Sequence, residues 1–295
     1  MQLPLHVTIL SYLFIFFFMF SIGLRNPFSE ALPGKKGLGW VSRALVANVL
    51  LVPLAGLLLR RWWALPPDAG VGFMLIAVTP GGLFGLHYAH LAKGDIAYAL
   101  KLSVVLALAA IVLVPMNIYV FLPTTASSKI LDFRILWELF VFAMMPYLLG
   151  QSVVRYWASG ARILKKILFV LVPLLFVAHH FSASQLSSMS IASVGAEVKW
   201  ALVALILVSW GFGVVLGGPD LAHCKVLAID TSMRNVAVCW LIARKSFADA
   251  NVYYTILAFS GISVSMNLVF ALGVRFIRGC PLLGPRLQLE KRRSV

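Results

Sequence analysis

Nine long apolar runs, separated by short polar or basic links, organise this chain: roughly residues 8–25, 38–60, 69–91, 95–122, 133–157, 163–183, 197–217, 221–244 and 251–277. A bilayer has a hydrocarbon core about 30 Å thick, which about 20 helical residues cross. Each run is therefore predicted to be a transmembrane helix, and the first to be retained rather than cleaved as a signal peptide. Two runs are interrupted. The third contains Thr79-Pro80-Gly81-Gly82, where proline removes a backbone donor and the glycines relax the chain. The eighth contains Asp230-Thr231-Ser232-Met233-Arg234-Asn235, a polar run inside an apolar stretch. After a short link each is followed by a long helix, and the two helices open alike: Gly94-Asp95-Ile96-Ala97-Tyr98-Ala99-Leu100 and Ala250-Asn251-Val252-Tyr253-Tyr254-Thr255-Ile256. This is the pattern of an internal repeat, residues 1–123 against 132–277, followed by a basic tail at 278–295. The link after the third run and the link after the eighth fall on opposite sides, so the copies are predicted to be inverted. Paired broken helices in opposite halves point to a transporter site near the bilayer midplane, because unwound backbone is tolerated in a membrane only where it is buried or lines a wet cavity.

Composition agrees with this reading. Of 295 residues 61% are hydrophobic and 12% charged, with a mean hydropathy of +0.94. A soluble domain carries about twice that share of charge. The formal net charge of +15 would point to nucleic acid in a soluble protein. Here the basic residues lie in links and in the tail, the pattern of loops facing an anionic cytoplasmic leaflet, so nucleic acid is excluded as a partner. Of the 25 Lys and Arg, 15 fall on one side of the nine spans and seven on the other. The excess predicts an outside N-terminus and a cytoplasmic C-terminus. Three cysteines at no ligand spacing argue against disulfides and zinc. No Asp-rich motif, zinc-ligand set or nucleophile elbow is present, which argues against an enzyme, and no cofactor is expected.

The stretch Thr79-Pro80-Gly81-Gly82-Leu83-Phe84-Gly85-Leu86-His87-Tyr88-Ala89-His90-Leu91-Ala92-Lys93-Gly94-Asp95 resembles a hallmark of the bile acid:sodium symporter family, in which Pro-Gly-Gly is followed by a Ser-Asn pair and then Leu-Ala-basic-Gly-Asp/Asn. The run Asp230 to Asn235 resembles a second, more degenerate hallmark, Glu followed by Gly-Met-Gln-Asn. The spacing from Gly94-Asp95 to Pro115 also fits. The similarity runs the length of the chain, starting from the family's second helix. What the resemblance implies is an all-α membrane fold with a panel domain and a core domain, the two broken helices crossing in the core. Family members take up bile acids and other organic anions, such as keto acids and sulfated steroids, usually with sodium.

Residue by residue, the family's sodium positions are altered. At the first, Gly85 and Leu86 stand where the Ser-Asn pair would be, and Ala99 and Ser103 where a serine and a threonine would be. Three of four side-chain oxygen donors are gone, and a hard cation needs several at once. At the second, Asn48, ahead of Pro53, matches a glutamine, Asp230 the shared glutamate, and Arg234 a glutamine. Arg234 is expected to pair with Asp230 in place of a bound cation, leaving coupling to sodium, to protons or to neither open. With Pro80, Gly81, Gly82, Thr231, Ser232, Met233, Asn235 and Asn267, these residues form the candidate site for a small organic anion and its ion. The half-helix N-termini would offer the anion backbone N–H groups.

Other residues admit plainer readings. Lys101 either snorkels or serves the core, and His87 and His90 either pack or shuttle protons. His179, His180, Trp62, Trp63, Trp137, Trp200 and Trp240 are expected at the membrane interface. A channel or passive exporter, or a transport-inactive receptor or scaffold homologue, are the other functions compatible with the pattern.

Overall fold

A computed structural model of the chain describes residues 5–25, 37–81, 85–122, 133–185, 194–247 and 249–277. The described residues form twelve α-helices and no strand. They are α1 (Leu5–Arg25), α2 (Leu38–Leu45), α3 (Val52–Trp62), α4 (Pro67–Val78), α5 (Gly85–Leu91), α6 (Ile96–Phe121), α7 (Phe133–Tyr156), α8 (Ala158–Gln185), α9 (Ala196–Leu216), α10 (Leu221–Ser232), α11 (Val236–Ser246) and α12 (Ala250–Val274). A π turn, Val46–Leu51, joins α2 to α3 without a break. Among the described residues, four stretches are long and apolar enough to cross a bilayer by length and composition: Leu5–Leu24, Leu38–Trp62, Ala196–Leu216 and Asn251–Val274.

Local chemistry fixes the starts of several helices. Pro67 occupies the first position of α4, where its missing N–H costs nothing. Carboxylate caps open α6, α10 and α12: Asp95 accepts from the Tyr98 N–H at 3.0 Å, Asp220 from Ala222 at 3.0 Å and Asp249 from Asn251 at 2.6 Å. The openings of α6 and α12 are thus capped by Asp95 and Asp249, whereas the register read from sequence set Asp95 against Asn251.

The helices pack as two groups. In one, α1 lies against α7 and α8. Gly23 and Gly150 allow the close approach: a Cβ on Gly150 would stand 2.6 Å from the Phe20 carbonyl oxygen. In the other, α9 lies along α10, and α12 along α4, with α5, α6 and α11 filling in and α3 laid across α4 and α9. The short helices α4 and α10 are the interior of this group. Every residue from Ala69 to Val78 and from Cys224 to Ser232 is buried.

Three expectations are corrected. His179 is wholly buried, not interfacial: its Nε2 lies 2.7 Å from the Ser11 hydroxyl and its ring 3.9 Å from that of Trp240. Trp240 is likewise in the core, wedged against Phe14 and Phe176. Lys225, counted with the solvent-facing basic residues, is buried. Its ammonium donates to the Ala92 and Ile277 carbonyls just beyond the ends of α5 and α12, where helix dipoles favour a cation. Lys101, by contrast, is exposed, and Trp62, Trp137 and Trp200 lie on the outer surface.

Candidate functional site

Helix α4 stops at Val78. Thr79 is extended (φ −105°, ψ 94°), and Pro80 follows with no N–H to continue the ladder. Gly81 then takes φ +86°, a left-handed conformation that suits glycine. Gly82 lies outside the described residues. Helix α10 stops at Ser232. Met233 is extended (φ −90°, ψ 118°), and Asn235 restarts the chain as the cap of α11, its Oδ1 accepting from the Val238 N–H at 3.2 Å. The two interruptions touch: the Asn235 N–H donates to the Thr79 carbonyl at 3.3 Å.

A helix that ends inside a protein leaves its last carbonyls without partners. Here other elements supply them. The Ile76 carbonyl accepts from Arg234 Nε at 3.1 Å, the Ala77 carbonyl from Arg234 Nη2 at 2.6 Å, and the Val78 carbonyl from Asn117 Nδ2 at 3.3 Å. Arg234 reaches further. Nη1 donates to Asn48 Oδ1 at 2.9 Å and to the Thr231 carbonyl at 3.3 Å, and Nη2 to the Asn48 carbonyl at 3.1 Å. The Asn48 carbonyl is available because of the π turn. The Val52 N–H bonds to Ala47 instead of Asn48, and Pro53 has no N–H to offer. Asn48 Nδ2 is spent on the Ala44 carbonyl, which orients Oδ1 toward the guanidinium.

The expected contact between Arg234 and Asp230 is absent. All the donors of Arg234 face other oxygens, because the extended segment after Ser232 carries the guanidinium toward α4 and the π turn, and what it touches on α10 is the Thr231 carbonyl rather than the Asp230 carboxylate. Asp230 is buried, and its Oδ2 meets no hydrogen-bond partner among the described residues. The carboxylate faces the start of α5, where a Cβ on Gly85 would stand 3.4 Å from Oδ1.

Thr231 and Ser232 anchor α10 to its neighbours. The Thr231 hydroxyl lies 2.8 Å from the Ser209 carbonyl of α9, and the Ser232 hydroxyl 2.7 Å from Asn267 Oδ1 of α12. That oxygen also accepts from the Trp210 indole N–H at 3.1 Å, while Asn267 Nδ2 donates to the Ser263 carbonyl. Met233 packs with Tyr88, Ile229 and Ala271. Leu86 lies against an apolar cluster that includes Ala44, Tyr98, Ala99 and Leu102, and the Ser103 hydroxyl turns back to the Ala99 carbonyl at 2.9 Å. Thus Asn48, Pro80, Gly81, Gly85, Asp230, Thr231, Ser232, Met233, Arg234, Asn235 and Asn267 gather around the two breaks. Leu86 and Ser103 stand in less polar surroundings beside them. The sequence reading missed Asn117 and the carbonyl role of Thr79. A lone asparagine two residues after Pro115 in an apolar helix is the signal that would have found the former.

A family model described as the sodium bile acid symporter family matches residues 12–196. The ileal sodium/bile acid cotransporter of Homo sapiens is 23% identical over 245 residues, covering 80% of this chain and 70% of that protein. The protein of the same name from Oryctolagus cuniculus is 22% identical over 242 residues, with 75% and 66% covered. A sodium-dependent organic anion transporter of Mus musculus is 20% identical over 250 residues, with 84% and 67% covered. The chain therefore spans about two thirds of these relatives' length. The family and the apolar helices together make this an integral membrane protein, and the relatives are transporters rather than enzymes. The chain belongs to the sodium bile acid symporter family.

Proposed function

We propose that the chain is a secondary carrier that moves small organic anions across a membrane by alternating access. The observation that carries this reading is the contact between the two helix breaks, where the Asn235 N–H meets the Thr79 carbonyl amid buried Asn48, Asp230 and Arg234. Interrupted helices that meet around buried polar groups are how a membrane carrier presents backbone to a solute.

In this reading α1, α2–α3, α4/α5, α6, α7, α8, α9, α10/α11 and α12 are nine spans. Helices α1, α7 and α8 form the panel and the rest the core, with α4/α5 and α10/α11 crossing as the corresponding members of an inverted repeat. The N-terminus lies outside and the C-terminus in the cytoplasm, by the excess of basic links on one side. The substrate class is a carboxylated or sulfated solute such as a bile acid or a keto acid, in keeping with the names of the relatives.

Counterflow in proteoliposomes tests the proposal. Vesicles loaded with an unlabelled bile acid, keto acid or steroid sulfate are expected to accumulate the labelled compound transiently above equilibrium. A pore equilibrates label with no such overshoot, and a receptor moves none; either result for all three solutes would overturn the carrier reading.

A further inference from the structure

We infer that Arg234 is a permanent internal cation: its guanidinium fills the oxygen cage between the two helix breaks, leaving no place there for a sodium ion. A guanidinium has five N–H donors in a planar fork. In this chain the fork makes five hydrogen bonds to oxygens, namely the carbonyls of Ile76, Ala77, Asn48 and Thr231 and the side chain of Asn48. Four of the five acceptors are backbone carbonyls drawn from three separate elements. Such a cluster, at the unwound part of broken helices, is the donor set a hard cation takes.

The electrostatics of the same place favour positive charge independently. Helices α4 and α10 both end at the breaks, so the negative ends of two dipoles converge there. Burying a lone charge in a membrane protein is costly unless hydrogen bonds satisfy it. Arg234 is 2% exposed, has no direct carboxylate partner among the described residues and is satisfied by four backbone carbonyls and the Asn48 side-chain oxygen. The protein thus holds covalently the charge that relatives named as sodium cotransporters would draw from solution. Among the described residues around Gly85, Leu86 and Ala99 are apolar and the Ser103 hydroxyl is committed to the Ala99 carbonyl, so Asp230 alone of these positions keeps a side-chain oxygen without a hydrogen-bond partner, short of the several oxygens a hard cation takes.

The inference deepens the carrier reading by removing sodium as its energy source, and rests on that reading only for the transport consequence. Binding of sodium alone tests it without any substrate. Purified wild-type protein is expected to show no saturable binding of radioactive sodium ion and the same melting temperature in sodium chloride as in choline chloride at equal ionic strength. Saturable binding, or a stabilisation specific to sodium, would overturn it. Arg234→Gln opens the cage while keeping the Asn48 and backbone oxygens, and is expected to gain a sodium-dependent rise in melting temperature of a few degrees. An Arg234→Gln protein that folds yet ignores sodium would count against the cage. If that variant does not fold in either salt, the wild-type measurement decides alone. A chain that fails counterflow but ignores sodium would sink the carrier reading and leave this one standing. A chain that passes counterflow with uptake strictly dependent on sodium would do the reverse.

Discussion

Asn48 and Arg234 illustrate how much of the site is held by single atoms. Asn48 gives its side-chain oxygen and its carbonyl to the same guanidinium, and the carbonyl is free only because Pro53 and the π turn deny it a helical partner. Hydrogen bonds to a charged group contribute about 1.5–3 kcal/mol each. Asn48→Ala, which removes one of them, is expected to lower stability by about 2 kcal/mol, read as a lower midpoint in thermal or denaturant unfolding of the detergent-solubilised protein. Gly81 carries a different kind of constraint. At φ +86° a side chain costs about 1–2 kcal/mol of backbone strain. Gly81→Ala is therefore expected to be destabilised by about that amount, with its nearest non-neighbour atom, Leu106 Cβ, at an unobtrusive 3.6 Å from the new methyl. A Gly81→Ala protein as stable as the wild type would mean that the turn relaxes. Arg234 also marks the limit of sequence reading at this scale. Its match to a sodium position of the family made it a site candidate, and the pair with Asp230 expected of it does not form. Beyond Asn48 Oδ1, its partners are backbone carbonyls, and every residue has one, so nothing in the sequence singles those out.

At the scale of elements, the breaks were legible because they break rules: a proline with two glycines in one apolar run and five polar residues among six in another. The join of the two breaks was not, since a backbone bond between Asn235 and Thr79 depends on how α4, α9, α10 and α12 pack. That packing rests on small residues. On α9, Gly213 faces the backbone of Leu227 and Ala228 in α10, and a Cβ there would overlap the Ala228 main chain. Gly211, two residues earlier, has nothing within 4 Å of where its Cβ would be. The contrast gives an internal control. Gly213→Val is expected to push α9 from α10 and cost at least the 1–3 kcal/mol typical of overpacking, about 3 kcal/mol or more given that backbone must move. Gly211→Val is expected to stay within about 0.5 kcal/mol of wild type, as a surface change away from special features does. Displacing α9 also strains the Thr231–Ser209 contact, so Gly213→Val should lose transport even where some protein folds. Equal behaviour of the two variants would show that α9 and α10 are not held as closely as described.

At the scale of the whole molecule, the two helix groups are stitched internally by polar contacts and meet mainly through rings. Within the larger group, the bonds of Thr231 to Ser209, Ser232 to Asn267, Tyr88 to the Val264 carbonyl and Arg234 to three elements tie the broken helices to the π turn, α9 and α12. Between the groups, Phe14, Phe176 and His179 press on Trp240, His87 stacks on Phe169, and His180 reaches the Ser260 hydroxyl at 3.0 Å. Apolar and ring contacts are non-directional, so such a boundary can slide at lower cost than a network of buried hydrogen bonds can rearrange. The groups are therefore expected to move as two bodies, with the site travelling intact inside the larger one. Pinning the boundary tests this. A Cβ on Gly261 of α12 would stand 3.6 Å from the His180 ring of α8, so cysteines placed by His180→Cys and Gly261→Cys lie within reach of a short bis-methanethiosulfonate. Cross-linking is expected to reduce counterflow to background, with recovery on reduction and with substrate binding retained. Either single-cysteine variant treated the same way should keep its activity. Full transport by the cross-linked protein would mean that α8 and α12 do not separate during the cycle, and that solute passes through a fixed frame.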